Sequence, residues 1–196
     1  MSSQGLRPGL SGFGCGEPSL VCGEQKLHIY TVGHSTMSLE EFIDLLRCYG
    51  IEVLVDVRAH PTSRRYPHFS GESLRETLER VGIGYVWLGK ELGGHRRKGL
   101  GEASPNKAWK SQGFRNYADH MLTEEFRAGI ERLLGIAKKK RTVFMCAERL
   151  WWRCHRRMIS DELVRRGIRV IHIMDTNKIF EHKLTSFARI IGGNVI

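Results

Sequence analysis

No apolar run in this chain approaches the roughly 20 residues needed to cross a bilayer. The N-terminus carries Arg7 but lacks the apolar segment of a secretory signal. A membrane partner and secretion are therefore not expected. A disulfide framework is missing too. The five cysteines, Cys15, Cys22, Cys48, Cys146 and Cys154, are odd in number and irregularly spaced, which fits a reducing cytoplasm better than an extracellular space. There is no internal repeat, no CxxC pair, no GxGxxG and no Walker A sequence, so nothing marks a zinc ribbon, a dinucleotide site or a P-loop. No cofactor is expected.

What the chain does have is positive charge. Thirty-one Lys and Arg stand against 21 Asp and Glu, a net +10 with a pI near 9.7. Such a surplus favours polyanionic partners, nucleic acid first and phosphorylated small molecules or an anionic membrane surface second. A basic cytosolic enzyme with no nucleic-acid role is the plainer alternative. Two stretches concentrate the charge. Residues 89–113 carry Lys90, Arg96, Arg97, Lys98, Lys107 and Lys110 for a net +4. Residues 146–158 carry Arg149, Arg153, Arg156 and Arg157 for a net +3, with Trp151 and Trp152 among them. Adjacent tryptophans flanked by arginines suit base stacking with phosphate neutralisation. Alternatively, one indole plugs the core and arginine stems cover the other.

Residues 1–26 are rich in Gly and Ser, lack periodicity and read as a disordered tail. Residues 27–196 read as one α/β domain. Strands are predicted over His28–Val32, Val53–Val57, Ile83–Leu88, Thr142–Cys146 and Arg169–Ile173. Helices alternate with them: one capped by Ser38 and Glu41, then Glu72–Val81, Arg115–Met121, Glu124–Lys139 and His155–Arg166. A short helix is also expected around Leu184–Ile190. Crossovers of this length imply a three-layer domain, a mostly parallel sheet of about five strands covered by helices on both faces.

Open parallel sheets bind ligands outside the carboxyl ends of their strands. Those ends supply the candidate catalytic residues His34, Ser35, Asp56, Arg58, Cys146, Glu148 and His155. His34 reads as a general base or a donor to a developing anion, or as a cap on the turn. Asp56 reads as a carboxylate that orients a histidine, or as the ion-pair partner of Arg58. Cys146 sits before a helix N-terminus, where a thiol is expected to be more acidic and nucleophilic; the alternative is a small buried hydrophobe. Cys154 and His155 add two metal donors to Cys146, but three donors without a CxxC pair do not make an expected metal site. Arg96, Arg97, Lys98, Arg149, Trp151, Trp152, Arg153 and Arg156 are the candidate nucleic-acid contacts.

The segments Thr31–Ser35, Leu54–Arg58 with Pro61 and Ser63, Leu92–Gly94, and Met145–Glu148 followed by Cys154-His155-Arg156 resemble the domain of unknown function 488 (DUF488) family. The resemblance runs in order over residues 28–175 and implies that the polar residues of these motifs line a common pocket. A fainter similarity is to rhodaneses and low-molecular-weight phosphatases, in which an Asp-Val-Arg strand precedes a strand ending in a catalytic cysteine. Here Trp152 stands where those phosphatases keep an arginine, with Arg153 one residue later. The function expected from these readings is excision of a damaged DNA base by N-glycosidic cleavage. A thiol enzyme with Cys146 as nucleophile, or a non-catalytic nucleic-acid-binding module, are the alternatives.

Overall fold

The computed structural model describes residues 27–196; the expected tail, with Cys15 and Cys22, lies outside them. The strands are β1 (His28–Gly33), β2 (Val53–Asp56), β3 (Gly84–Trp87), β4 (Thr142–Cys146), β5 (Arg169–Asp175) and β6 (Lys178–Glu181). They form one sheet in the order β3-β2-β4-β1-β5-β6. The first five are parallel, and β6 runs antiparallel to β5. The sheet thus has one strand more than the sequence indicated, because Thr176 and Asn177 turn the chain back onto the edge of β5. Among the described residues the helices are α1 (Leu39–Cys48), α2 (Gly71–Arg80), the single turn α3 (Gly89–Leu92), α4 (Gln112–His120), α5 (Glu124–Ala137) and α6 (Arg156–Arg165). No helix there is long and apolar enough to span a membrane.

The two-residue period of the strands sorts their side chains into two cores. Tyr30, Val32, Leu54, Val143, Met145 and Ile171 point to one face, where Phe42, Leu45 and Leu46 of α1 and Leu74 and Leu78 of α2 cover them. Ile29, Val55, Phe144 and Val170 point to the other, under Tyr117 of α4, Ile130 and Leu133 of α5, and Met158 and Leu163 of α6. The three-layer arrangement follows from that division.

The basic stretch over residues 89–113 begins with α3 and is then tied down by one carboxylate. Asp119 accepts hydrogen bonds from Leu100 N (2.8 Å), Ser104 Oγ (2.5 Å) and Asn106 Nδ2 (2.8 Å). The helix expected around Leu184–Ile190 does not form. Gly192 and Gly193 both take positive φ, +57° and +78°, the requirement of a two-residue hairpin turn. They join β7 (Ile190–Ile191) antiparallel to β8 (Asn194–Val195).

Candidate active site

Because β4 lies between β2 and β1, the carboxyl ends of three neighbouring strands meet. Main-chain bonds extend that meeting past the strands: His34 N donates to Cys146 O at 3.1 Å and Ser35 N to Ala147 O at 2.9 Å. Ser35 is the one non-glycine residue among those described with positive φ, at 50°. Such a conformation costs an L-residue energy and concentrates at functional sites. Over these ends opens a cavity of about 770 Å³. His34, Ser35, Arg58, Cys146, Glu148 and His155 line it, so six of the seven candidate catalytic residues are brought together. Arg65, His95, Phe114, Tyr117, Arg153 and Cys154 complete much of the wall.

Asp56 is the exception. It is fully buried, and both carboxylate oxygens are engaged. Arg58 Nε donates to Oδ1 and Oδ2 at 2.9 and 3.0 Å, Arg58 Nη2 to Oδ2 at 2.5 Å and Tyr85 Oη to Oδ2 at 2.8 Å. It neither orients His34 nor reaches water; it holds the Arg58 guanidinium. Burial first, and the Asp56 carboxylate second, raise the Tyr85 hydroxyl above its ordinary range and keep it a donor.

The Arg58 guanidinium then faces His34, with Nη1 3.4 Å from Nε2. The other nitrogen, Nδ1, lies 3.1 Å from Ser35 O. A carbonyl only accepts, so Nδ1 carries the proton and Nε2 the lone pair. Burial, reinforced by Arg58, pushes the His34 imidazole down to about 4. His34 is therefore neutral at pH 7 and fixed by stacking on Phe69, with ring centroids 4.0 Å apart. It presents an acceptor and not a donor for a developing anion.

Cys146 and Cys154 also line the cavity. Their mutual hydrogen bond and burial push the Cys146 thiol well above its ordinary range; that hydrogen bond and the neighbouring His155 hold Cys154 well below it. This reverses the acidity expected of Cys146 from its place before a helix. Cys154 Sγ lies 3.5 Å from His155 Nδ1, and His155 Nε2 lies 3.0 Å from Val57 O. The imidazole is backed by Gly94, where a Cβ would come within 2.5 Å of Nδ1; only glycine allows that approach.

The family described as "Domain of unknown function DUF488" matches residues 38–163. The chain belongs to that family. No curated protein and no solved structure matches it. The DUF488 span contains Asp56, Arg58, Cys146, Glu148, Cys154 and His155, whereas His34 and Ser35 precede it.

The structure divides the candidate nucleic-acid contacts of this DUF488 protein. Arg97, Lys98, Arg149, Trp152 and Arg153 are exposed. Arg156 is not: it is 1% exposed. Its Nη1 donates to Thr31 Oγ1 at 2.9 Å and its Nη2 to the carbonyls of Glu148 and Arg149, which holds the loop after β4. Arg96 is likewise drawn inward, donating to the carbonyls of Lys90 (2.6 Å), Glu91 (3.1 Å) and Gly93 (3.0 Å). Trp151 stacks on His172 at 4.1 Å with the rings 1° from parallel, so its face is already covered. Trp152 meets Trp151 edge-on and remains 42% exposed.

Sequence reasoning missed Tyr85, whose partner Asp56 is 29 residues away, and the mouth residues His60, Arg65 and His95. It also missed the chain from His172 Nε2 to His182 Nδ1 (2.9 Å) and from His182 Nε2 to Asp161 Oδ1 (2.9 Å). The histidine content alone could have flagged that network, but not its connectivity.

Proposed function

We infer that this protein is an enzyme that draws one base of a nucleic acid into the cavity and cleaves its N-glycosidic bond. The observation that carries this reading is the charge of the cavity wall: Arg65 and Arg153 line it against a single carboxylate, Glu148, and Arg58, its own charge met by Asp56, adds a guanidinium edge. Its size falls within the range of about 300–1,000 Å³ usual for small-molecule clefts, enough for an extruded base. Arg149 and Arg153 suit flanking phosphates, and the open face of Trp152 suits stacking on a neighbouring base.

With Asp56 committed to Arg58, the water-activating carboxylate falls to Glu148, which is exposed to the cavity and steadied by Leu150 N at 3.0 Å. Glu148 takes a proton from water, the water oxygen bonds to the anomeric carbon, and the base leaves with the electrons of the broken C–N bond.

The test is a panel of end-labelled duplexes, each with one damaged or mismatched base, incubated with the protein and then treated with or without alkali. Alkali-dependent cleavage at one lesion is expected, lost in Glu148→Gln with binding kept. Arg153→Glu should weaken binding and reduce the salt slope by about 1. Absence of binding to every duplex at low salt discards the reading.

A further inference from the structure

Two sulfurs and one ring nitrogen converge on the cavity wall in a way that hydrolysis by Glu148 does not require. Cys146 Sγ, Cys154 Sγ and one ring nitrogen of His155 all lie within 4.8 Å of one another. The turn Trp151–Arg153 folds the chain back so that Cys154 returns beside Cys146. Sequence spacing concealed this, because the two cysteines are too far apart for any standard ligand pair.

The state of His155 is fixed by its neighbours. Nε2 faces the Val57 carbonyl at 3.0 Å, so it carries the proton, and Nδ1 turns a lone pair toward the sulfurs. A ligating imidazole characteristically gives its second N–H to a carbonyl in this manner. The distance from Cys154 Sγ to His155 Nδ1 is 3.5 Å. A tetrahedral zinc with Zn–S of about 2.3 Å and Zn–N of about 2.0 Å sets its sulfur and nitrogen ligands about 3.5 Å apart.

We propose that Cys146, Cys154 and His155 bind a Zn²⁺ ion, with the fourth coordination position open to the cavity for water or a substrate atom. Two thiolates and a neutral imidazole cancel the charge of the dication, so its burial leaves no unpaired charge. A sulfur-rich set selects zinc over magnesium or calcium. Three protein donors with one open position is the pattern of catalytic zinc, whereas structural zinc is closed by four. A cysteine–histidine pair acting as nucleophile and base would use Cys154 and His155 and leave Cys146 without a role. This inference stands on the donor geometry alone; it holds even if the cavity takes something other than a nucleic acid.

The test uses the full chain. Elemental analysis of protein grown with added zinc should find one zinc per chain. Protein stripped by chelator under reductant and titrated with Co²⁺ should develop a thiolate-to-cobalt charge-transfer band and the intense visible absorption of a four-coordinate site. Both signals should vanish in Cys146→Ser and Cys154→Ser. Gly94→Ala keeps every donor but displaces His155, and should weaken Co²⁺ binding about 10- to 100-fold, the range for lost outer-sphere support. Should a variant fail to fold, the unaltered chain still decides: zinc should protect both Cys146 and Cys154 from alkylation, read by mass spectrometry. Folded, reduced protein that takes up neither metal, or whose two thiols alkylate equally with and without zinc, overturns the proposal. Neither result depends on the excision assay.

Discussion

At the scale of single residues, the site separates groups that act from groups that hold. Asp56 has the residue type of an acid–base catalyst and the surroundings of a clamp. Replacing one partner of a buried pair leaves the other charge uncompensated, at a cost of about 3–5 kcal/mol. Asp56→Asn should therefore lower unfolding free energy by about that amount, read as a reduced urea midpoint at unchanged m-value. A purely catalytic aspartate would leave the midpoint where it was. The sequence placed Asp56 and Cys146 correctly at strand ends, because apolar runs stop there. It could not show which groups meet there: Tyr85 reaches Asp56, and the Val57 carbonyl meets His155, through strand pairing and crossovers that no local pattern encodes.

At the scale of elements, local chemistry was most legible where it is self-contained. Ser38 and Glu41 form both bonds of the capping box, Glu41 N to Ser38 Oγ at 3.2 Å and Ser38 N to Glu41 Oε2 at 2.7 Å. Ser38→Ala should cost about 1 kcal/mol, detected as a lower Tm with the cavity unaltered. The C-terminal stretch was misread for a matching reason. Leu184, Phe187, Ala188 and Ile190 offer helical spacing, but Thr185 is tied to Asp161 through its N (2.8 Å) and Oγ1 (2.7 Å). The Gly192-Gly193 turn then commits the chain to a hairpin. Tertiary bonds decided there against periodicity.

At the scale of the whole molecule, the five parallel strands and their crossovers were legible, whereas the antiparallel sixth strand and the sheet order were not, since the sequence does not state that β4 inserts between β2 and β1. The net charge also overstates what faces solvent, because Arg58, Arg156 and much of Arg96 serve the interior. Buried histidines impose a pH limit on the fold. Burial lowers His34 to about 4 and His172 to about 2, and it lowers His120 as well. These rings bind protons in the unfolded chain before they do so in the folded one. Their contribution to stability is thus complete above the unfolded value near 6.5 and declines as pH falls toward the folded values. Denaturant melts should show unfolding free energy falling between pH 6.5 and 4.5, by up to about 1.4 kcal/mol per pH unit for each of His34 and His172. His172→Gln should make that slope shallower.

The loop after β4 is fastened along its first arm, by His34 and Ser35 at the carbonyls of Cys146 and Ala147 and by Arg156 at those of Glu148 and Arg149, and it closes where Cys154 returns beside Cys146. Its crest, Leu150 to Arg153, makes no strand pairing. Such a segment behaves as an interchangeable cassette. Its exposed members, Trp152 and Arg153, can be rewritten to suit a different guest while Trp151, packed on His172, and the reactive groups beneath keep their positions.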